Sequence, residues 1–167
     1  MKGILKIIDI INDRIGKIVS YITLIYTFLV IFEVIMRYIF NSPTIWSAEL
    51  TYYLFGIQWL IAGAYDVLYD KHIKVDIIAE KFSKRTKAIA DLFGALFFFL
   101  FIGTMFYHSL ILGWEDMLIG KRSFSIWGPP IWPVELCIAL GAFLLLLQGF
   151  AKVIRDISIV REGGEYK

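Results

Sequence analysis

Four apolar runs, each long enough to cross a bilayer as a helix, constrain this chain more than any other feature. They lie near residues 18–40, 46–69, 88–112 and 131–151. A helix spanning the hydrocarbon core needs about 20 mainly apolar residues. The chain is 59% hydrophobic, against roughly 45–50% in soluble domains. The expected fold is therefore an all-α integral membrane protein with four transmembrane helices, forming one membrane domain over residues 1–167.

Residues 4–17 have a different pattern. Ile4, Ile7, Ile8, Ile11 and Ile15 recur at spacings of three and four, with Lys6, Asp9, Asp13 and Lys17 on other faces. This is the pattern of an amphipathic helix lying at a membrane interface. Its interleaved charges do not resemble a cleaved signal peptide, so the segment is expected to be part of the mature protein.

Basic residues set the expected orientation. Lys2, Lys6, Arg14 and Lys17 precede the first span; Lys71, Lys74, Lys81, Lys84, Arg85 and Lys87 follow the second; Lys152, Arg155, Arg161 and Lys167 follow the fourth. The opposite connections hold only Lys121 and Arg122. Positive residues collect on the cytoplasmic side, so an N-in/C-in topology is expected. The basic connection after the second span also suits an inner leaflet, with anionic lipid as a possible contact. Trp114, Trp127 and Trp132 suit the outer interface.

Charge within the runs calls for a reason. Glu33 and Arg37 are four apart and can pair on one helix face. Trp46 and Glu49 are three apart at the start of the second span, where Ser42 can cap the helix and Pro43 can occupy its first turn. Both pairs are candidate helix-packing or subunit contacts. For Glu49 the spacing leaves a plain helix-start role equally open. Gln58 and Gln148 are mid-run amides expected to bond between helices.

Other chemistry finds little support. Cys137 is the only cysteine, which rules out a disulfide within the chain. His72 and Asp76 form part of a cytoplasmic turn, where one histidine among lysines makes a poor metal site. His108 is a single histidine in a span, and a membrane b-type haem would need a partner's second ligand. No nucleotide loop, nucleophile elbow or HExxH motif occurs. No catalytic residue, metal or cofactor is expected, and the net charge of +2 predicts no nucleic-acid partner. An autonomous carrier using Glu33 and a redox-complex anchor using His108 stay open as readings of these residues.

The segment "RYIFNSPTIWSAEL" resembles a signature of the small, DctQ-type membrane subunit of tripartite ATP-independent periplasmic (TRAP) transporters. In order, the resemblance continues through Gly63 and Ala64, then His72, Val75 and Asp76, then Ser123, Pro130 and Trp132, covering roughly residues 30–150. Ala48 departs from the pattern, standing where the family often has a first glutamate, and this places weight on Glu49. The resemblance implies a bacterial inner-membrane subunit that scaffolds a large membrane subunit, with Glu33, Arg37, Trp46 and Glu49 at the contacts. It implies import of a small organic anion delivered by a periplasmic binding protein. Lys121, Arg122, Ser123 and Trp127 in the outer connection are the candidate contacts for that protein.

Overall fold

The computed structural model describes residues 2–69 and 84–161, and these are helical apart from short connections. Five helices follow one another: α1 (Lys2–Ser20), α2 (Ile22–Tyr38), α3 (Ser47–Leu68), α4 (Lys84–Ile119) and α5 (Trp132–Arg161). They form an open row. The α1–α2 arm packs on α3, α3 packs on α5, and α5 packs on α4.

Small residues let α3 and α5 approach closely. Ala64, Ala139, Ala142 and Ala151 are almost inaccessible. A Cβ added at Gly141 would come within 3.2 Å of the Ile61 backbone nitrogen. Between membrane helices such close backbone packing replaces the hydrophobic drive available in water. The core gathers here from Val19, Ile61, Ala64, Val67, Ile102, Ala142, Leu144 and Leu145.

Three stretches are long and apolar enough to cross a membrane: Gly3–Tyr38, Ile89–Ile119 and Trp132–Arg161. The first joins α1 and α2 across an interruption at Tyr21, whose N–H donates to the Ile18 carbonyl. The expected boundary near residue 17 thus moves to Tyr21, since no proline or turn glycine stops the helix earlier. The expected second span is helical, and at 22 residues it is about 33 Å long, yet it falls outside the group of three. The reason is its composition, because Glu49, Gln58, Asp66 and three tyrosines lower its mean hydropathy. α3 is flanked by α1, α2 and α5, so only a stripe through Tyr52, Phe55 and Trp59 is left open, while Gln58 and Asp66 dilute its other faces.

Part of the polar side of α1 is turned inward: Asp9, Asn12 and Asp13 bond to α5 or to the end of α3, while Lys6, Arg14 and Lys17 stay exposed. Leu5, Asn12, Gly16 and Val19 are buried, whereas Ile4, Ile7, Ile11 and Ile18 are exposed. The residues expected to face water are therefore partly used against α3 and α5.

Candidate functional site: polar latches and the outer loop

Glu33 stands one turn before the end of α2, on the stripe that faces α3. One carboxylate oxygen, Oε1, accepts from Arg37 Nη2 at 2.6 Å and Nε at 3.1 Å. The other, Oε2, accepts from Thr44 Oγ1 at 2.5 Å, Ser47 Oγ at 2.8 Å and the Thr44 backbone N–H at 3.2 Å. The spacing pairs Glu33 with Arg37 as expected, but the two are unequally covered. The Arg37 side chain is 51% exposed and that of Glu33 13%. Glu33 thus acts as a clasp between the end of α2 and the start of α3, with the arginine on its outer edge.

The chain reverses between these helices through Asn41, which has φ +48°. Its short polar side chain tolerates this left-handed geometry. The expected cap at Ser42 and first turn at Pro43 are not observed. α3 begins at Ser47, with Trp46 at the N-cap position. Thr44 Oγ1 accepts from the Ser47 N–H at 3.4 Å and lies 2.7 Å from Ser47 Oγ. Trp46 stacks on Phe32 with centroids 6.0 Å apart, so it too ties α3 to α2.

Glu49 reaches in another direction. It accepts from Tyr53 Oη and from Ser125 Oγ, each at 2.5 Å. Ser125 lies in the connection between α4 and α5, so the carboxylate anchors that loop on α3. The loop closes on itself through a bridge between Arg122 and Pro130 and a Ser123 N–H bond to the Pro129 carbonyl at 2.8 Å. Gly128, at φ +59°, accepts from Arg122 Nη1 at 3.2 Å. Lys121 Nζ lies 2.7 Å from Asp116 Oδ2, and this carboxylate holds the lysine above its ordinary pKa. Of the four outer residues, Lys121, Arg122 and Ser123 thus help to shape the loop, and Trp127 is half-buried. The tip presents Phe124 and Ile126, which are almost fully exposed.

A third group lies where α1 meets α5. Gln148, with no exposure, accepts from Asn12 Nδ2 at 2.7 Å and donates to Asp9 Oδ1 at 3.1 Å. Arg155 Nη2 donates to Asp9 Oδ2 at 2.6 Å. Gln58 Nε2 donates to Thr23 Oγ1 at 2.5 Å, so both mid-run amides bond between helices. His108 is exposed on α4, edge-on to Tyr107. His72 and Asp76 lie outside the described residues. Among the described residues no three His, Cys, Asp or Glu side chains gather into a metal-binding group.

Thr44, Ser47, Tyr53, Ser125 and Asn12 were not singled out by the sequence reading. Only the pair Thr44 and Ser47, three apart just before an apolar run, carries a local signal.

These features define a class: a helical membrane protein whose charged side chains are engaged mainly in joining its own helices and loops. The chain belongs to the family described as tripartite ATP-independent periplasmic transporters, DctQ component, whose family model matches residues 26–158. It is thus a component of a transporter rather than one of an enzyme family. No curated protein matches the chain.

Proposed function

We propose that this chain is the non-catalytic small permease subunit of a sodium-coupled TRAP transporter importing a small organic anion, of the carboxylate or acidic-sugar type. In this reading it crosses the bacterial inner membrane four times, with both termini cytoplasmic and residues 4–17 at the inner interface. It scaffolds the large membrane subunit and helps receive the periplasmic binding protein. The observation that carries the reading is the saturation of Glu33. All five of its hydrogen bonds come from Arg37, Thr44 and Ser47. A carboxylate fixed in this way suits a structural clasp better than an ion-coupling site, which supports placing the transport site in the partner.

The exposed edge of Arg37, with Trp46 beside it, is the proposed contact with the large subunit; Glu33 and Glu49 hold that surface in shape. Lys121, Arg122, Ser123 and Trp127 are the proposed contacts for the binding protein, and the basic connection containing His72 and Asp76 rests on anionic lipid. The test is co-purification from the native operon with mass spectrometry of the partners. A large multi-span protein at one to one supports the reading. A homo-oligomer that transports by itself overturns it.

A further inference from the structure

The connection between α4 and α5 presents two large apolar side chains that the chain leaves uncovered. Phe124 is fully exposed and Ile126 is 88% exposed. Scattered apolar residues are ordinary on a protein surface, but these two stand on one braced turn. Ser125, between them, donates from Oγ to Glu49 Oε2 at 2.5 Å and accepts from the Gly128 N–H at 3.0 Å. The base of the loop is closed by the Ile131 N–H, which donates to the Lys121 carbonyl at 3.3 Å. The tip is therefore held in shape before it meets anything, which lowers the ordering cost of any contact it makes.

The brace also sets the level of the tip. Glu49 lies in the first turn of α3, so its bond to Ser125 draws the loop sideways over the start of that helix. The surface at this end of the bundle is already apolar. Leu118 and Ile119 are exposed, and they close a stretch long enough to cross a membrane. Ile39, Phe40 and Ile45, where α2 gives way to α3, are exposed as well. Phe124 and Ile126 add to that apolar surface.

The polar groups of the loop are turned back on the loop itself. Lys121 reaches Asp116, and Arg122 donates to the Gly128 carbonyl. The Ser123 N–H donates to the Pro129 carbonyl at 2.8 Å and the Ser125 N–H to Ser123 Oγ at 3.3 Å. Pro129 and Pro130 have no N–H to satisfy. Water supplies such partners to a loop in solution, whereas beside hydrocarbon the chain must supply them. Residues 123–128 carry no charge, so nothing at the tip selects a charged protein face. A phenylalanine, an isoleucine and the half-buried Trp127 suit the boundary between headgroups and acyl chains. We infer that the α4–α5 loop is a membrane-inserted tip: Phe124 and Ile126 enter the lipid leaflet at this end of the bundle and hold the loop down on the bilayer. In the proposed orientation this is the outer leaflet. The inference needs the chain to cross a membrane and does not depend on the substrate or on the partner subunit.

The test places a photoreactive side chain at the tip, Phe124→p-benzoylphenylalanine, in the full chain within cell membranes. On irradiation the probe joins to nearby C–H groups, and mass spectrometry identifies what it has joined. The expected product is this chain carrying the mass of a membrane phospholipid. Adducts to a protein, whether the large membrane subunit or the binding protein, overturn the inference. So does the absence of any adduct, which puts the tip in water. A second variant, Phe124→Ser with Ile126→Ser, removes the inserted groups and keeps every bond that braces the loop. In lipid nanodiscs, trypsin cleavage after Lys121 and Arg122 should become about tenfold faster in this variant, a shift of ~1.4 kcal/mol in loop opening. An unchanged rate overturns the inference, because the tip would then not be holding the loop.

Discussion

Replacing Gln148 with leucine should loosen the N-terminal helix, by an amount that can be worked from its contacts. Gln148 is completely enclosed and Asn12 is 2% exposed, so water cannot replace the bond between them. Leucine fills similar space but leaves the Asn12 amide without its acceptor at 2.7 Å, a buried loss of about 1–3 kcal/mol. The bond to Asp9 is also lost, although Asp9 keeps Arg155 at 2.6 Å. Interhelical bonds of this kind in membranes average ~0.6 kcal/mol. The expected total is about 2–3 kcal/mol, or roughly 30–150-fold in the docking equilibrium of α1. Adding Asn12→Leu should recover most of it, because removing both partners of a buried pair is nearly neutral. The assay is denaturant titration in mixed micelles, followed by circular dichroism and by hydrogen exchange of residues 2–20. A double variant as unstable as the sum of the singles would refute the reasoning, because the two amides would then act independently.

Three further outcomes follow from the geometry. A Cβ at Gly16 would lie 2.7 Å from Tyr65 Cβ, so Gly16→Ala should force α1 away from α3 at a cost of about 1–3 kcal/mol, read as faster exchange in α1. Glu33→Ala should lower the thermal stability of the purified subunit more than Arg37→Ala, because the carboxylate binds Arg37 on α2, Thr44 in the connection and Ser47 on α3, whereas Arg37 contributes only its outer pair; equal losses would count against the clasp. Lys121 has its pKa raised by Asp116. The sign is that of a cation gaining a partner: its contribution is fully present below the unfolded lysine value of ~10.4 and is lost as pH rises through the folded value. Proteolysis of the loop at residues 120–131 should thus stay constant from neutral pH to about 10 and increase only above that.

The sequence was most informative where a periodic rule was sufficient. The pairing of Glu33 with Arg37 followed from helix spacing, and the interhelical role of Gln58 and Gln148 from the cost of a lone amide in an apolar run. It was least informative where two distant segments had to meet. Nothing in residues 44–53 indicates that Glu49 will reach Ser125, which lies 76 residues away. The expected span at 46–69 starts within one residue of α3, but its cap was misplaced for a local reason: Ser42 and Pro43 satisfy the rules for capping, whereas the reversal at Asn41 uses those residues and the helix begins at Ser47. The amphipathic pattern of α1 was visible, but not the inward turn of part of its polar face. A helix in water turns that face outward, and one against other helices in lipid turns it inward; the pattern is identical in both cases.

That inward turn explains how an open row of helices is held together. None of the 17 residues of α2 is buried, so packing area alone gives it a weak hold on α3. Its attachment instead depends on directional contacts spread along its length. Gln58 bonds to Thr23 at one end, Tyr26 meets Phe55 edge-on at 6.0 Å, and the Glu33 clasp with the Phe32–Trp46 stack secures the other end. α1 is fixed in the same way by Asp9 and Asn12. In an apolar solvent these bonds specify which face meets which, because any rotation of α2 would strand Glu33 without its hydroxyl donors. The outward faces need no such specification and remain apolar from Leu24 through Phe28 to Ile35. Charge within the membrane part of this chain thus sets the register between helices and leaves the outer surface free to meet lipid or another subunit.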